Sequence, residues 1–267
     1  GNHLIVARPF LRSRVSEKTN ILGVELNAVT LNEAVEAVKH FLYSGGQHYV
    51  VTPNPEILLK ACDDPDYRSI LNRASLKVPD GAGLLWASSF VVGRPSRLMR
   101  LLFGLWGFFC MIFFPSFSRR VFPERVTGVD LMEEILDKSY AMSAKVFLLG
   151  AGPGVAKAVA EKWRVANVVG TYAGSPAPRD AADIVGRVNA YGANVLFVAY
   201  GAPQQEKWIA LNLKRMPGVK VAIGVGGALD FVAGVRSRAP RWMRRLGLEW
   251  LWRLAQEPRR IKRIWNA

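Results

Sequence analysis

Histidine and cysteine are scarce in this chain of 267 residues, which contains three histidines and two cysteines. The histidines, His3, His40 and His48, do not have the spacing of metal ligands. The sequence therefore predicts no bound metal and no other cofactor. Cys62 and Cys110 are too few for a disulfide framework, and they fit a reducing cytoplasm.

Acidic residues are also few, with 21 Asp and Glu against 36 Lys and Arg and a formal net charge of +15. The imbalance is greatest at residues 236–267, where ten Lys and Arg face two Glu and stand among Trp and Leu. Such a tail attracts anions, either on a membrane surface or on phosphates. No nucleic-acid-binding motif accompanies it, so the sequence predicts no nucleic-acid partner.

The chain lacks an apolar run long enough to cross a membrane comfortably. Residues 1–20 are polar and basic, without the apolar core of a signal peptide, and are expected to be loose. Residues 101–114 are fourteen apolar residues flanked by arginines on both sides. As a helix they would be about 21 Å long, against about 30 Å for the hydrocarbon core. They predict an interfacial or re-entrant element, with a buried core helix as the alternative.

Short apolar, β-branched runs alternate with helical patterns over the rest of the chain. The pattern predicts an α/β fold with a Rossmann-like, doubly wound and mostly parallel sheet. The predicted strands are residues 48–52, 76–78, 146–150, 165–171, 195–199 and 219–225. The predicted helices are residues 31–43, 56–61, 81–86, 155–163, 181–191 and 205–213. The first of them begins with a capping box at Thr30.

Polar residues follow the first two predicted strands, at the end of a parallel sheet where ligands bind. Thr52 ends the first predicted strand and Asn54 follows it, although taken alone this segment fits an ordinary turn with an Asn helix cap. Asp80 lies between a strand and a helix, with glycines after it that leave room for a ligand. It fits a helix cap and a general base equally well.

Glycines at residues 150–154 follow the next strand, in a turn that can cradle a pyrophosphate at a helix N-terminus. The turn is not a complete dinucleotide fingerprint, because Val155 occupies the position of the third glycine. The following strand ends in Thr171 and Tyr172, without the acid that binds a ribose. These departures disfavour NAD and FAD.

Two further segments contain polar side chains that could belong to a binding site. Gln205 and Glu206 open a helix, where they could face the crevice or simply provide first-turn polarity. Asp64-Pro65-Asp66 resembles a metal-binding Asp-x-Asp motif, but it follows a helix rather than a strand. We interpret it as the loop that ends that helix.

Several motifs in order resemble the WecG/TagA/CpsF glycosyltransferases, glycosyltransferase family 26, over about residues 21–265. They are Thr52-Pro53-Asn54, Pro79-Asp80-Gly81, Arg125-Val126-Thr127-Gly128, Gly-Ala-Pro-x-Gln-Glu-Lys-Trp at 201–208, Gly-Gly-x-x-Asp-Phe-x-x-Gly at 226–234, Arg-Ala-Pro-x-Trp at 238–242 and Leu-Glu-Trp-x-x-Arg at 248–253.

The resemblance implies transfer of a sugar from a UDP-sugar to a polyprenyl-diphosphate-linked sugar, with inversion and without a bound metal, in cell-surface polysaccharide or teichoic acid synthesis. Asp80 would be the base that deprotonates the acceptor hydroxyl. The catalytic pocket would also contain Thr52, Asn54, Arg125 and Gln205. The residues implied to bind UDP are Gly150, Gly152, Tyr172, Gly201, Glu206, Gly226 and Asp230. Those implied to meet the acceptor diphosphate are Arg253, Arg260 and Arg263.

The expected organisation is a loose segment at residues 1–20, an α/β domain at 21–235 and a basic, helical C-terminal appendage at 236–267. Compared with the family pattern, the domain carries an apolar, membrane-seeking insertion at about residues 96–122. The expected location is the cytoplasmic face of the bacterial plasma membrane, peripheral or monotopic. A homo-oligomer is possible. The donor sugar is also left open between N-acetylmannosamine, N-acetylmannosaminuronic acid and glucose.

Two other classes of function also remain open. The glycine turn at residues 150–154 suggests a Rossmann-like nucleotide-binding oxidoreductase or epimerase, which would show cofactor absorbance. The Trp-rich tail and the apolar segment suggest a non-catalytic membrane adaptor, which would not bind UDP.

Overall fold

The computed structural model describes residues 18–80, 126–245 and 248–256. The strands are β1 (Lys18–Ile21), β2 (Val24–Asn27), β3 (His48–Val51), β4 (Leu76–Lys77), β5 (Val146–Gly150), β6 (Val168–Tyr172), β7 (Val195–Ala199) and β8 (Val221–Gly224). The α-helices are α1 (Leu31–Tyr43), α2 (Pro55–Asp63), α3 (Pro65–Arg73), α4 (Gly128–Asp137), α5 (Val155–Lys162), α6 (Ala181–Ala190), α7 (Gln204–Asn212), α8 (Ala228–Ala233), α9 (Arg241–Arg245) and α10 (Glu249–Gln256).

Strands β3 to β8 form one six-stranded sheet in the order β4-β3-β8-β7-β5-β6, and each neighbouring pair is parallel. Every residue of β5, β7 and β8 is buried, as expected for strands that are covered on both faces. The prediction of a Rossmann-like parallel sheet is confirmed. The boundaries move slightly, since β6 begins at Val168 and β8 at Val221.

Helices cover both faces of this sheet. One face packs against α1, α4, α5 and α8. The opposite face packs against α6 and α7, and further along against α2, α3 and the antiparallel β1–β2 hairpin. The chain therefore passes to one face after β5 and β8, and to the other after β3 and β7. Where loops diverge in this way, the carboxyl ends of the strands border a crevice.

Local sequence signals account for several helix ends. The capping box at Thr30 is present: its hydroxyl accepts a hydrogen bond from the Glu33 backbone N–H, and the Glu33 carboxylate accepts one from the Thr30 N–H. At Asp64 the predicted helix-ending loop is wrong in part, because Asp64 ends α2 and also caps α3. Its Oδ1 accepts from the Tyr67 N–H at 2.8 Å, and Pro65 is tolerated in the first turn because it has no N–H to satisfy.

Predictions for the N-terminal segment and for residues 81–114 have different outcomes. The loose segment predicted for residues 1–20 is wrong for Lys18, Thr19 and Asn20, which pair with β2 in the hairpin. The predicted helix at residues 81–86 and the apolar segment at 101–114 lie outside the described residues. Among the helices that the structure describes, none combines the length and the apolar character needed to cross a membrane.

Candidate active site

The parallel strands bring the predicted site residues to one edge of the sheet. Thr52 and Asn54 follow β3, Asp80 follows β4 and Gly226 follows β8. Gln205, in the first turn of α7, comes directly after the loop that leaves β7. Because these strands are neighbours, the fold gathers the loops around the crevice between its two helical layers.

Thr52 links the end of β3 to the end of β8. Its side chain is buried, and its hydroxyl donates a hydrogen bond to the Gly224 carbonyl at 3.2 Å. It also lies against the start of α4, since a Cβ placed on Gly128 would come within 3.4 Å of the Thr52 hydroxyl. Asn54 caps α2, because its Oδ1 accepts from the Ile57 N–H at 3.0 Å. Its predicted role in the catalytic pocket is not tested by this contact.

Asp80 lies next to these residues, half-buried. Its backbone N–H donates to the Pro53 carbonyl at 2.7 Å, and the Val78 N–H donates to Val51 at 2.9 Å, so the loops after β3 and β4 run side by side. The helix predicted after Asp80 lies outside the described residues. The base role of Asp80 therefore stays a prediction.

Gln205 connects the loop after β7 to the glycine turn after β8. Its side chain is 2% exposed. The Oε1 atom accepts a hydrogen bond from the Gly226 N–H at 2.9 Å, and Nε2 donates to Glu206 Oε1 at 2.7 Å. Thr52 and Gln205 therefore bind the carbonyl and the N–H on either side of the same short turn. This turn, Gly224–Gly226, leads into α8.

Glu206 is completely buried, and its carboxylate accepts hydrogen bonds from two protein side chains. The Tyr67 hydroxyl donates to Glu206 Oε2 at 3.1 Å, from helix α3, while Gln205 donates to Oε1. Burial raises the pKa of the Glu206 carboxyl, and the hydrogen bonds from Gln205 and Tyr67 act in the opposite direction. The direct contact with UDP predicted for Glu206 remains untested. Tyr67 has no site motif around it, and the sequence did not single it out.

The glycine turn after β5 packs tightly on the end of β7. Gly150 has φ +101°, and a Cβ there would lie 2.7 Å from the Ala199 carbonyl carbon. The Ala151 N–H donates to the Ala199 carbonyl at 3.0 Å. The Gly152 carbonyl then accepts from the Val155 N–H at 3.1 Å, and Gly154, with φ +81°, directly precedes α5. The turn therefore presents the N-terminus of α5 at the ligand-binding edge.

Three other residues predicted to bind UDP lie at or beyond the carboxyl ends of β6, β7 and β8. Tyr172 ends the edge strand β6, and the Arg187 guanidinium carbon stands 4.5 Å from its ring centroid. Gly201 follows β7 with φ +77° and open space where a Cβ would project. Asp230 lies in α8, with its carboxylate 3.5 Å from Nε of Arg236. The fold thus brings the Thr52, Asp80 and Gln205 loops together, whereas Tyr172 is separated from β7 by β5.

The C-terminal appendage is attached to the start of α4. Arg238 Nη1 lies 2.7 Å from Asp130 Oδ1 and 3.5 Å from Glu133 Oε2. Further along, Trp252 in α10 donates through Nε1 to the Ser237 carbonyl at 3.1 Å. Of the predicted tail and pocket arginines, Arg253 lies in α10, and Arg125, Arg260 and Arg263 lie outside the described residues.

Arg238→Gln is expected to lower the free energy of unfolding by about 2 kcal/mol, because it leaves partly buried carboxylates without their cation. Arg187→Gln is the matched control. Arg187 pairs with Asp183 at 2.9 Å on an exposed helix surface, where solvent screens the charges, so its replacement should cost much less stability. Urea unfolding of both variants measures the difference, and equal losses would contradict the stabilising role of Arg238.

The family model for the "Glycosyl transferase WecG/TagA/CpsF family" matches residues 19–103 and 109–267. This chain belongs to the WecG/TagA/CpsF glycosyltransferase family. Membership confirms the predicted enzyme class, and it favours a transferase over an oxidoreductase, an epimerase or an adaptor. The WecG/TagA/CpsF match breaks at residues 104–108, inside the apolar segment, and the extent of the predicted insertion stays a prediction.

Relatives within the WecG/TagA/CpsF family carry specific names. An "N-acetylglucosaminyldiphosphoundecaprenol N-acetyl-beta-D-mannosaminyltransferase" of Staphylococcus aureus strain MRSA252 is 32% identical over 251 residues, which span 92% of this chain and 88% of the relative. Proteins of the same name from strains MW2 and NCTC 8325 are each 31% identical over the same shares of both chains.

Proposed function

We propose that this glycosyltransferase moves N-acetylmannosamine from a UDP-sugar to N-acetylglucosamine carried on a polyprenyl diphosphate, in the synthesis of a cell-surface polymer. The observation that carries the proposal is the 32% identity, over 92% of the chain, to a protein named for that transfer. The placement of Thr52, Asp80 and Gln205 on adjoining loops is consistent with one reaction centre. N-acetylmannosaminuronic acid and glucose are the competing donor sugars.

In the proposed reaction, the acceptor hydroxyl oxygen attacks the anomeric carbon of the donor from the side opposite UDP. A bond forms between that oxygen and the anomeric carbon, while the bond from the anomeric carbon to the UDP oxygen breaks and its electron pair leaves with UDP. Asp80 accepts the hydroxyl proton as general base. Attack from the opposite side inverts the anomeric centre.

The leaving UDP gains negative charge, which the site must stabilise. The N-terminus of α5, behind the turn that contains Gly150 and Gly152, is suited to a diphosphate because its backbone N–H groups and dipole attract anions. We assign the acceptor diphosphate to Arg253, Arg260 and Arg263, and further charge stabilisation to Arg125. Metal independence forms part of this proposal.

Transfer assays with a panel of radiolabelled donors test the proposal. The donors are UDP-N-acetylmannosamine, UDP-N-acetylmannosaminuronic acid, UDP-glucose and UDP-N-acetylglucosamine, and the acceptor is a lipid-diphosphate-linked N-acetylglucosamine. We expect label in the lipid fraction from UDP-N-acetylmannosamine, unchanged by EDTA, and little transfer to the matching lipid monophosphate. Preferential use of another donor would overturn the proposed sugar, and no transfer from any donor would overturn the proposed reaction.

The proposed location is the cytoplasmic membrane surface, and the apolar segment is the proposed anchor. If half of its side chains are buried in the membrane, each of them would contribute about 1.5–3 kcal/mol, which exceeds the roughly 1 kcal/mol contributed by each surface arginine.

Deleting residues 98–120 is therefore expected to move the protein to the soluble fraction, while high salt alone leaves the intact chain on membranes. As a control, Arg260→Gln with Arg263→Gln should remain membrane-bound. Release of the intact protein by salt would identify the arginine tail as the anchor instead.

A further inference from the structure

The buried Glu206 carboxylate has no part in the proposed chemistry, yet it lies one residue from the centre of the site. It is completely buried, and it receives hydrogen bonds from two elements: Gln205 in α7 and Tyr67 in α3. A buried carboxylate is costly unless it is well bonded. Its position next to a predicted catalytic residue therefore calls for a role.

The partners of Gln205 define which way its carboxamide is turned. The Gly226 N–H is a donor, so it requires the carbonyl oxygen Oε1, which lies 2.9 Å away. The Glu206 carboxylate accepts, so it requires Nε2, which lies 2.7 Å away. Reversing the amide would set two donors against each other at Gly226. It would also set the Gln205 carbonyl oxygen against the Glu206 carboxylate, so Glu206 favours the same orientation, in which Gln205 holds the glycine turn.

Tyr67 fixes Glu206 in turn. Its ring is completely buried among the apolar residues around α2 and α3. Its hydroxyl donates to Glu206 Oε2. Burial, followed by the nearby Glu206 carboxylate, raises the pKa of Tyr67, so the hydroxyl keeps its proton at neutral pH. Lys207 covers the outer side of the ring, with Nζ 5.8 Å from the centroid and 2.6 Å from Asp64.

We infer that Tyr67 and Glu206 are positioning residues of the donor site, which hold the Gln205 carboxamide against the Gly226 N–H. Through that bond they set the glycine turn that leads into α8 and Asp230. This inference rests on the proposed function for its catalytic consequence, because the turn is where we expect UDP to bind. The contacts themselves are independent of the ligand.

Amide hydrogen exchange without ligand tests the positioning directly. Tyr67→Phe removes only the hydroxyl, and it should speed exchange of the Gly226 amide hydrogen about tenfold, equivalent to about 1.4 kcal/mol. Tyr49→Phe is the matched control, because the Tyr49 hydroxyl also bonds to α3, at the Ile70 carbonyl, but not to Glu206. Exchange at Gly226 in that variant should stay within about twofold of the wild type. Equal rates in the two variants would overturn the inference.

UDP affinity provides the second measurement. Tyr67→Phe and Glu206→Ala should each weaken UDP binding about tenfold. Glu206→Gln should restore most of the affinity, because its amide oxygen still accepts from Gln205. If Tyr67 acts through Gln205, the effect of Tyr67→Phe should shrink below about twofold in a Gln205→Ala background.

The two claims fail in distinguishable ways. A tenfold effect of Tyr67→Phe that persists in the Gln205→Ala background, or an equal effect of Tyr49→Phe, would overturn the positioning role. A wild-type protein that binds no UDP would overturn the proposed function, and the exchange rate at Gly226 would still decide whether Tyr67 and Glu206 position the turn.

Discussion

Asp80→Asn is expected to lower turnover by about 10²–10⁴-fold while leaving UDP affinity within about twofold. Asparagine has nearly the shape of aspartate and can still cap a helix, but its amide cannot accept the proton of the acceptor hydroxyl. The loop itself should persist, because it is held by the backbone bond from the Asp80 N–H to the Pro53 carbonyl, which substitution does not remove.

Comparison with Asp80→Ala separates catalysis from capping. If Asp80 is the base, both variants lose turnover to a similar extent. If Asp80 acts only as a helix cap, Asp80→Asn should stay near wild type, while Asp80→Ala loses about 1 kcal/mol of stability. Turnover at saturating UDP-sugar, UDP binding by calorimetry and thermal unfolding of both variants distinguish these cases.

Gly150→Ala is expected to destabilise the fold by more than about 3 kcal/mol. Two effects combine there: φ is +101°, and the new Cβ would lie 2.7 Å from the Ala199 backbone, which cannot move without separating β5 from β7. Gly154→Ala isolates the first effect, because Gly154 has φ +81° but no atom within 4 Å of its Cβ position.

We expect Gly154→Ala to cost only about 1–2 kcal/mol. Denaturant unfolding of both variants measures the difference. Equal destabilisation would contradict the close packing of the turn against β7. A stable Gly150→Ala protein would contradict the described junction of β5 and β7 altogether.

The central sheet could be predicted from the sequence because its strands are buried on both faces. Runs such as Val195–Ala199 are continuous and apolar, and this pattern is little affected by distant residues. The capping box at Thr30 is likewise local, since both of its hydrogen bonds join residues three apart. Loops that follow parallel strands lie at the same end of the sheet. The prediction of parallel strands was therefore enough to place Thr52 and Asp80 on adjoining loops.

Features that depend on distant partners could not be predicted in this way. In the sequence Glu206 looks like ordinary first-turn polarity, and its hydrogen-bond donor Tyr67 lies 139 residues away in the chain. Strands β1 and β2 have only four residues each and expose polar side chains, so neither shows a long apolar run. Helix α3, which Asp64 caps, was not predicted because a proline after an aspartate fits both the end and the beginning of a helix.

The central claim is that UDP binds across the carboxyl edge of the sheet, and hydrogen exchange with and without UDP tests it most directly. We predict slower exchange in peptides that contain residues 150–154 and 224–230 when UDP is added. Peptides from the opposite edge, at residues 44–48 and 216–220, should be unchanged. Protection confined to the opposite edge, or to the C-terminal tail alone, would contradict the account.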